Sequence, residues 1–240
     1  MLNFGWMSIF NPIQIILIFI STIFSATIAA FALLISRNAS FWVAKNIWAK
    51  SICFISRCTI KAIGKETFKD YKEPLIFCAN HLSSFDIVAL YAIVDRPIYF
   101  IAKKELKNVP FLGWYMNAAG MIFVDRSNRE KAIKSMKEAG EAINQGRNII
   151  TFPEGTRSKD GNIGAFKKGT FHIASQSNIP ILPIAIKGSN IVNPNNTFIL
   201  KKGEITVSFG GVIENVQQFK SVNQLTNYAK EKIEELYHSI

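Results

Sequence analysis

The uncharged apolar run of residues 15–35, IILIFISTIFSATIAAFALLI, most limits how this chain can fold. As an α-helix it would be about 30 Å long, close to the thickness of the hydrocarbon core of a bilayer. It has no basic start and no A-x-A-like cleavage site, so a cleaved signal peptide is not expected. The run therefore predicts a membrane-anchoring helix, and the alternative is a hydrophobic core helix of a soluble domain.

The segment after this run is basic and amphipathic. Six lysines and arginines occur between residues 37 and 65, whereas the first acidic residue is Glu66. Positive charge beside an apolar helix marks the cytoplasmic side of a membrane. In residues 39–63 the charges are interleaved with tryptophan and other apolar residues, which favours a second helix in the headgroup region. We predict a two-helix membrane anchor in residues 1–63, either crossing the bilayer or dipping into one leaflet, before a domain in residues 64–240.

The net charge of +11 favours anionic partners. Candidates are nucleic acid, an anionic membrane, and a phosphorylated or acidic substrate. No nucleic-acid recognition motif is visible, and nucleic-acid binding would not explain the apolar run, so we expect no nucleic-acid partner. The three cysteines lack the spacing of a zinc site, so we expect no metal. His172 and His238 are interpreted as structural.

From residue 65 onward, short apolar strands alternate with amphipathic helices. Strands are expected at residues 74–79, 97–102, 121–125, 148–152, 181–186 and 204–209. Helices are expected at residues 84–94, 128–145, 167–177 and 222–238. This alternation predicts an α/β fold with a mostly parallel or mixed sheet that is covered by helices.

The segment NHLSSFD contains the first candidate site. His81 follows an expected strand, and Asp86 lies in the first turn of an expected helix. On one continuous helix the two side chains would diverge by about 140°, so they can meet only if His81 lies in the turn before the helix. Two roles are open for Asp86. It can complete a capping box with Ser83, or it can orient the imidazole of His81 and stabilise the protonated ring.

The segment FPEGTRS, residues 152–158, is the second candidate. It follows an expected strand, and loops at the carboxyl edge of a parallel sheet are where α/β folds bind ligands. Arg157 suits a phosphate group because its guanidinium can form two parallel hydrogen bonds. Glu154 could bind hydroxyl groups or orient Arg157. A solvated turn is the plain alternative.

Two weaker candidates follow other strands. Lys103 and Lys104 come after one strand, and Arg126 ends the segment GMIFVDR. Charged residues beside strands are often merely solvated. The glycine-rich residues 164–170 lack the lysine of a nucleotide-binding loop, so no nucleotide site is expected.

In their order along the chain, the segments 80–86, 120–126, 152–157 and 181–184 resemble the motifs of the glycerophospholipid acyltransferase family. The resemblance is closest to bacterial 1-acyl-sn-glycerol-3-phosphate acyltransferases and covers residues 65–215. The hydrophobic N-terminal helices are also similar to the anchoring pair of that family.

The resemblance implies a glycerol-3-phosphate acyltransferase-like fold and transfer of a fatty acyl group from an acyl carrier protein or coenzyme A thioester. The acceptor would be the sn-2 hydroxyl of lysophosphatidic acid, and the product phosphatidic acid. It implies that His81 is the general base and that Asp86 holds its tautomer. Acceptor contacts are expected from Lys103, Lys104, Arg126, Glu154, Gly155, Thr156 and Arg157. No cofactor beyond the thioester is expected, and the protein would lie at a bacterial inner membrane with its catalytic domain in the cytoplasm.

Two other functions fit parts of the sequence. The same chemistry could act on another lysolipid, such as a lyso-aminolipid, because the motifs indicate hydroxyl acylation and not the head group. A non-catalytic protein could bind anionic lipid through the basic N-terminal segment, but it would not need His81 and Asp86.

Overall fold

A computed structural model describes residues 4–125 and 129–240. Within these residues, seven strands form one mixed sheet in the order β1-β7-β6-β2-β5-β3-β4. The strands are β1 (Cys58–Ile63), β2 (Ile76–Ala79), β3 (Ile98–Lys103), β4 (Ile122–Val124), β5 (Asn148–Thr151), β6 (Ile181–Lys187) and β7 (Gly203–Phe209). The α/β fold with a mixed sheet is confirmed.

Five neighbouring strands run parallel, so their carboxyl ends share one edge of the sheet. β2 is central and pairs in parallel with β5 and β6, with Ile76 opposite Ile149 and Ile181. β3 pairs in parallel with β5 on one side and β4 on the other. β7 runs antiparallel to β6, and β1 is parallel to β7. The loops after β2, β3, β5 and β6 therefore gather at the edge where such sheets bind ligands.

Every residue of β2 and β5 is buried, so side chains on both faces of these strands are covered. Helices provide this cover on the two faces of the sheet. They are α1 (Phe4–Ala32), α2 (Arg37–Val43), α3 (Lys50–Ser56), α4 (Glu66–Lys69), α5 (Phe85–Ile93), α6 (Leu112–Ala119), α7 (Arg129–Asn144), α8 (Gly169–Ser177), α9 (Ser189–Val192) and α10 (Val222–Ser239). The predicted ends of β2 to β7 and of α5, α7, α8 and α10 agree with the structure to within two residues.

The second N-terminal helix is shorter than predicted. It consists of α2, a π-helical segment at Ala44–Ala49 and α3, and it ends at Arg57, whose backbone is left-handed with φ 56°. The prediction of helix up to residue 63 is wrong, because Cys58–Ile63 forms β1 at the edge of the sheet. Burial alternates along this strand with the period of two typical of a strand. The division of the chain at residue 63 into an anchor and a domain stays a prediction.

The two N-terminal helices pack antiparallel through polar side chains. The Gln14 amide donates to the Ile55 carbonyl at 2.6 Å, and Trp48 Nε1 donates to Thr22 Oγ1 at 3.1 Å. These contacts satisfy polar groups that an apolar helix would otherwise present to its partner.

The outer face of α1 is apolar and exposed. Phe19 and Phe24 are each about three-fifths exposed. Among the described residues, Asn11–Ala32 is the one helical segment long and apolar enough to cross a membrane.

Candidate functional site

The carboxyl edge of the parallel strands brings the predicted site segments together. His81 follows β2, the loop with Glu154 and Arg157 follows β5, and Lys104 follows β3. Ser189, after β6, lies at the same edge. The site is thus built from loops held by buried strands.

The structure brings His81 and Asp86 into contact. Nδ1 of His81 lies 2.7 Å from Oδ2 of Asp86. Because an ionised carboxylate only accepts hydrogen bonds, Nδ1 carries the proton and Nε2 keeps a free lone pair. An imidazole in this tautomer can take a proton from a hydroxyl group that reaches Nε2.

Asp86 also anchors the start of α5. Its fully buried Oδ2 accepts hydrogen bonds from the backbone N–H groups of Leu82 at 2.7 Å and Ser83 at 2.9 Å. Ser84 occupies the N-cap position without a side-chain hydrogen bond to the helix, whereas Ser83 Oγ accepts from the Phe85 N–H at 3.3 Å. The two roles considered for Asp86 are therefore compatible, since the backbone contacts fix the carboxylate that holds the imidazole.

Asn80 fixes the strand end from which His81 projects. Its buried amide donates to the Ile186 carbonyl at 2.9 Å and accepts from the Ile186 N–H at 2.7 Å. The side chain thus replaces a peptide group and extends the pairing of β2 with β6 by one residue. The backbone is then free to turn toward the site at His81.

Ser189 is a site residue that sequence reasoning missed. Its hydroxyl donates to Oδ1 of Asp86, and its side chain is fully buried. The preceding Gly188 has φ 90° and lies so close to the Glu204 carbonyl that no side chain would fit. A Gly-Ser pair at the carboxyl end of a predicted strand is the signal that could have identified it.

Phe152 forms one wall of the site. Its ring stacks on the imidazole of His81 with centroids 4.1 Å apart and an interplanar angle of 15°. The stacking holds the plane of the imidazole against the phenyl ring.

Glu154 supports the backbone of the site. Its Oε1 accepts from the His81 N–H at 2.8 Å, and its Oε2 accepts from the Gly164 N–H at 2.9 Å. Burial raises the pKa of Glu154, and the two backbone hydrogen bonds partly oppose this shift. These contacts make Glu154 a positioning residue for the backbone of the site. Its predicted roles of binding acceptor hydroxyls or orienting Arg157 stay predictions.

Replacing Glu154 with Gln should lower the free energy of unfolding by about 1–3 kcal/mol, because the amide NH₂ would face a backbone N–H and leave it unsatisfied. The pH dependence should change as well. Because the folded-state pKa of Glu154 is raised, the wild-type protein should lose stability as the pH rises from the ordinary value of 4.5 through the folded pKa. The Gln variant should lack this slope.

Urea unfolding of both proteins across this pH range measures the effect. Glu138→Gln, which changes an exposed residue of α7, is the matched control. Parallel stability curves for the wild type and Glu154→Gln would contradict the prediction.

The loop after Glu154 carries Arg157 to the site. The Ser158 N–H donates to the His81 carbonyl at 2.7 Å, which fastens the loop beside the imidazole. Arg157 Nη1 donates to Ser84 Oγ at 3.1 Å, and the side chain is half-buried. Most of its N–H donors thus remain available for a ligand.

Gly155 and Thr156 complete this loop. Gly155 has φ 74°, and a Cβ atom there would lie 2.7 Å from the Nζ atom of Lys167. Thr156 is exposed. Lys167 is a second cation beside the loop.

The two lysines at the end of β3 are engaged in ion pairs. Lys104 Nζ lies 2.7 Å from Asp125 Oδ2, and Lys103 Nζ lies 3.4 Å from Glu105 Oε1. Their charges are thus partly compensated locally, and their predicted contacts with the acceptor stay predictions. Arg126 lies outside the described residues.

Comparisons with known proteins agree with this architecture. A family model described as Acyltransferase matches residues 59–187, more than half of the chain. A 1-acyl-sn-glycerol-3-phosphate acyltransferase of Saccharomyces cerevisiae is 36% identical over 162 residues, which are 66% of this chain and 53% of the relative. A chloroplastic 1-acyl-sn-glycerol-3-phosphate acyltransferase of Arabidopsis thaliana is 30% identical over 200 residues, 83% of this chain and 54% of the relative. The chain thus spans about half the length of these relatives.

A solved structure matches almost the whole chain. The crystal structure of the 1-acyl-sn-glycerophosphate acyltransferase from Thermotoga maritima has a TM-score of 0.85 and 25% sequence identity, and the match covers 97% of this chain and 96% of that chain. The residues matched by the family model include the site from Asn80 to Lys167. This chain therefore belongs to the acyltransferase family.

Proposed function

We propose that this protein is a 1-acylglycerol-3-phosphate O-acyltransferase that converts lysophosphatidic acid to phosphatidic acid in phospholipid biosynthesis. The acyl donor would be acyl carrier protein or coenzyme A thioester. The contact between His81 Nδ1 and the buried Asp86 carries the proposal, because it prepares a base beside the cationic Arg157. The names of the relatives and of the matching crystal structure support lysophosphatidic acid as the acceptor.

In this reaction, Nε2 of His81 takes the proton of the sn-2 hydroxyl while the hydroxyl oxygen attacks the thioester carbonyl carbon. The new ester C–O bond forms, the C–S bond breaks, and His81 returns the proton to the leaving sulfur to give a free thiol. Asp86 stabilises the imidazolium between the two transfers. A thiolate is a good leaving group, so the scheme needs no covalent enzyme intermediate and we propose no further cofactor.

The direct test supplies the purified full chain with lysophosphatidic acid and either acyl-coenzyme A or acyl carrier protein thioester. Thiol release and the mass of the lipid product are followed together. We expect phosphatidic acid and one thiol per ester formed. Faster acylation of another lysolipid in the same assay would overturn the acceptor assignment, and no thiol release with any acceptor would overturn acyl transfer itself.

Arg157→Ala should raise the KM for lysophosphatidic acid by roughly tenfold to a hundredfold, because a charge-assisted hydrogen bond to the phosphate is lost. The kcat value should fall much less. Lys159→Ala removes an exposed charge from the same loop and should leave the KM unchanged. An unchanged KM in Arg157→Ala would place the phosphate elsewhere.

Ser189→Ala should lower kcat by roughly tenfold with little change in KM, because one oxygen of Asp86 loses its hydrogen-bond donor. Ser189→Thr keeps the hydroxyl and should recover most of the activity. Ser208→Ala, at a buried serine in β7, is the control for a general packing effect. Equal kcat values for Ser189→Ala and Ser208→Ala would show that Ser189 has only a structural role.

We also propose that a lipid membrane is a partner of the protein. The exposed apolar face of α1 and the basic segment after it support this proposal and a cytoplasmic position of the sheet. We propose that the membrane is a bacterial inner membrane. Added protease should cleave the sheet domain in inverted membrane vesicles and spare it in intact spheroplasts. The reverse pattern would overturn the orientation.

A further inference from the structure

Two arginines converge at the edge of the sheet opposite His81. Arg37 begins α2, and Arg147 lies between α7 and β5. Their guanidinium carbons are 5.9 Å and 5.5 Å from the centroid of the Tyr99 ring. A Cβ atom at Gly120 would lie 3.1 Å from Nη1 of Arg37 and 2.9 Å from Nη1 of Arg147. The two Nη1 atoms are therefore no farther apart than these two distances added together.

No carboxylate among the described residues pairs with either arginine. Nη1 of Arg37 donates to the Ala119 carbonyl at 2.7 Å, and Arg147 donates to neutral oxygens at 3.3 Å and 3.5 Å. Each guanidinium has five N–H donors, so most of them are unused by these contacts. Two like charges this close repel each other, and the aromatic face of Tyr99 offsets only part of that repulsion. A bound anion would remove it.

The arginines line an open cleft of about 340 Å³, which is the size of a small-ligand site. Asn38 and Gln145 add polar groups to the lining, which contains no acidic residue. A phosphate with an attached glycerol is small enough for this volume. The planar donor groups of arginine match phosphate oxygens better than a point charge does.

The chain beside the cleft indicates where such a phosphate would come from. Leu34 and Ile35, directly before α2, are 84% and 83% exposed. They lie at the end of the helix that is long enough to cross a membrane. Apolar side chains presented to solvent next to a cationic cleft fit the boundary between acyl chains and head groups.

We propose that Arg37 and Arg147 bind the phosphate of an anionic phospholipid at the membrane surface. This site is separate from the acyl-acceptor site at the carboxyl edge, and it does not depend on the proposed reaction. A bound lipid phosphate would add a lipid-dependent contact to the hydrogen bond that already joins Arg37 to the Ala119 carbonyl.

The test uses the full chain in zwitterionic detergent micelles and measures the thermal unfolding midpoint. Short-chain phosphatidylglycerol is the lipid probe, because it is neither acceptor nor product of the proposed reaction. Short-chain phosphatidylcholine and inorganic phosphate form the other two arms. We expect phosphatidylglycerol to stabilise the wild-type protein at a lower concentration than inorganic phosphate, and phosphatidylcholine to have little effect.

Arg147→Gln should raise the half-saturating concentration of phosphatidylglycerol by roughly tenfold or more, since charge-assisted hydrogen bonds are lost. Lys137→Gln removes the same charge from an exposed position of α7 and should respond like the wild type. Arg37→Lys is the second variant, because it keeps the charge but loses the paired donors, and its response should be intermediate.

Equal responses of Arg147→Gln and Lys137→Gln to phosphatidylglycerol would overturn the proposal. Equal stabilisation by inorganic phosphate and phosphatidylglycerol at the same concentration would identify a free phosphate as the ligand and reject the lipid. Acyl transfer is not measured, so failure of this proposal would leave the proposed function untouched.

Discussion

Replacing His81 with Ala should lower kcat for acyl transfer by about 10²–10⁴-fold and leave the KM for lysophosphatidic acid nearly unchanged. The imidazole supplies the lone pair that takes the acceptor proton, and it is held between Asp86 and Phe152. The hydrogen bond from the His81 backbone to Glu154 does not require the side chain, so the variant should fold. Thiol release at saturating concentrations of both substrates measures the effect.

His172→Ala is the matched control, because it removes an exposed histidine of α8. It should keep the wild-type kcat, and thermal unfolding should show that both variants are folded. A folded His81→Ala protein that retained most of its activity would exclude His81 as the base and with it the proposed mechanism.

Asp86→Asn should lower kcat by roughly 10²–10⁴-fold while the fold is kept. The amide oxygen can take the place of Oδ2 and accept from His81 and the two backbone N–H groups. The amide nitrogen can donate to the Ser189 hydroxyl, which can also accept a hydrogen bond. The negative charge that stabilises the imidazolium is lost, so catalysis should suffer far more than stability.

The free energy of unfolding of Asp86→Asn should fall by only about 1 kcal/mol, whereas Asp86→Ala should cost about 1–3 kcal/mol more because it leaves buried N–H groups unsatisfied. Asp70→Asn changes an exposed aspartate and serves as the control in kinetics and urea unfolding. If Asp86→Asn had the wild-type kcat, Asp86 would be a helix cap without a role in the reaction.

The sequence predicted most of the sheet because its strands are short apolar runs that turns and helices separate. β1 was the exception. Its inward-facing Cys58, Ile60 and Ala62 alternate with Lys61 and other exposed residues, and the same basic spacing also fits an amphipathic helix. Its partner β7 lies far along the chain, and sequence periodicity gives no information about such pairing.

In the candidate site, too, contacts between residues close in sequence could be predicted, whereas contacts between distant segments could not. The contact between His81 and Asp86 joins residues five apart and could be argued from one turn. The contact between Ser189 and Asp86 joins residues 103 apart, and it depends on the position of β6 beside β2. Glu154 was predicted as a site residue from its position in the loop, but its backbone partners could be identified only in the folded chain.

The location of β1 bears on efforts to obtain a soluble version of the protein. Six residue pairs of β1 and β7 close the side of β7 that faces away from β6. Deleting residues 1–63 would remove β1 together with the hydrophobic helices. The exposed edge of β7 could then pair with strands of other molecules and cause aggregation. Trimming that ended at Arg57 would keep the edge covered. The last turn of the second helix is therefore a safer point for truncation than the start of α4.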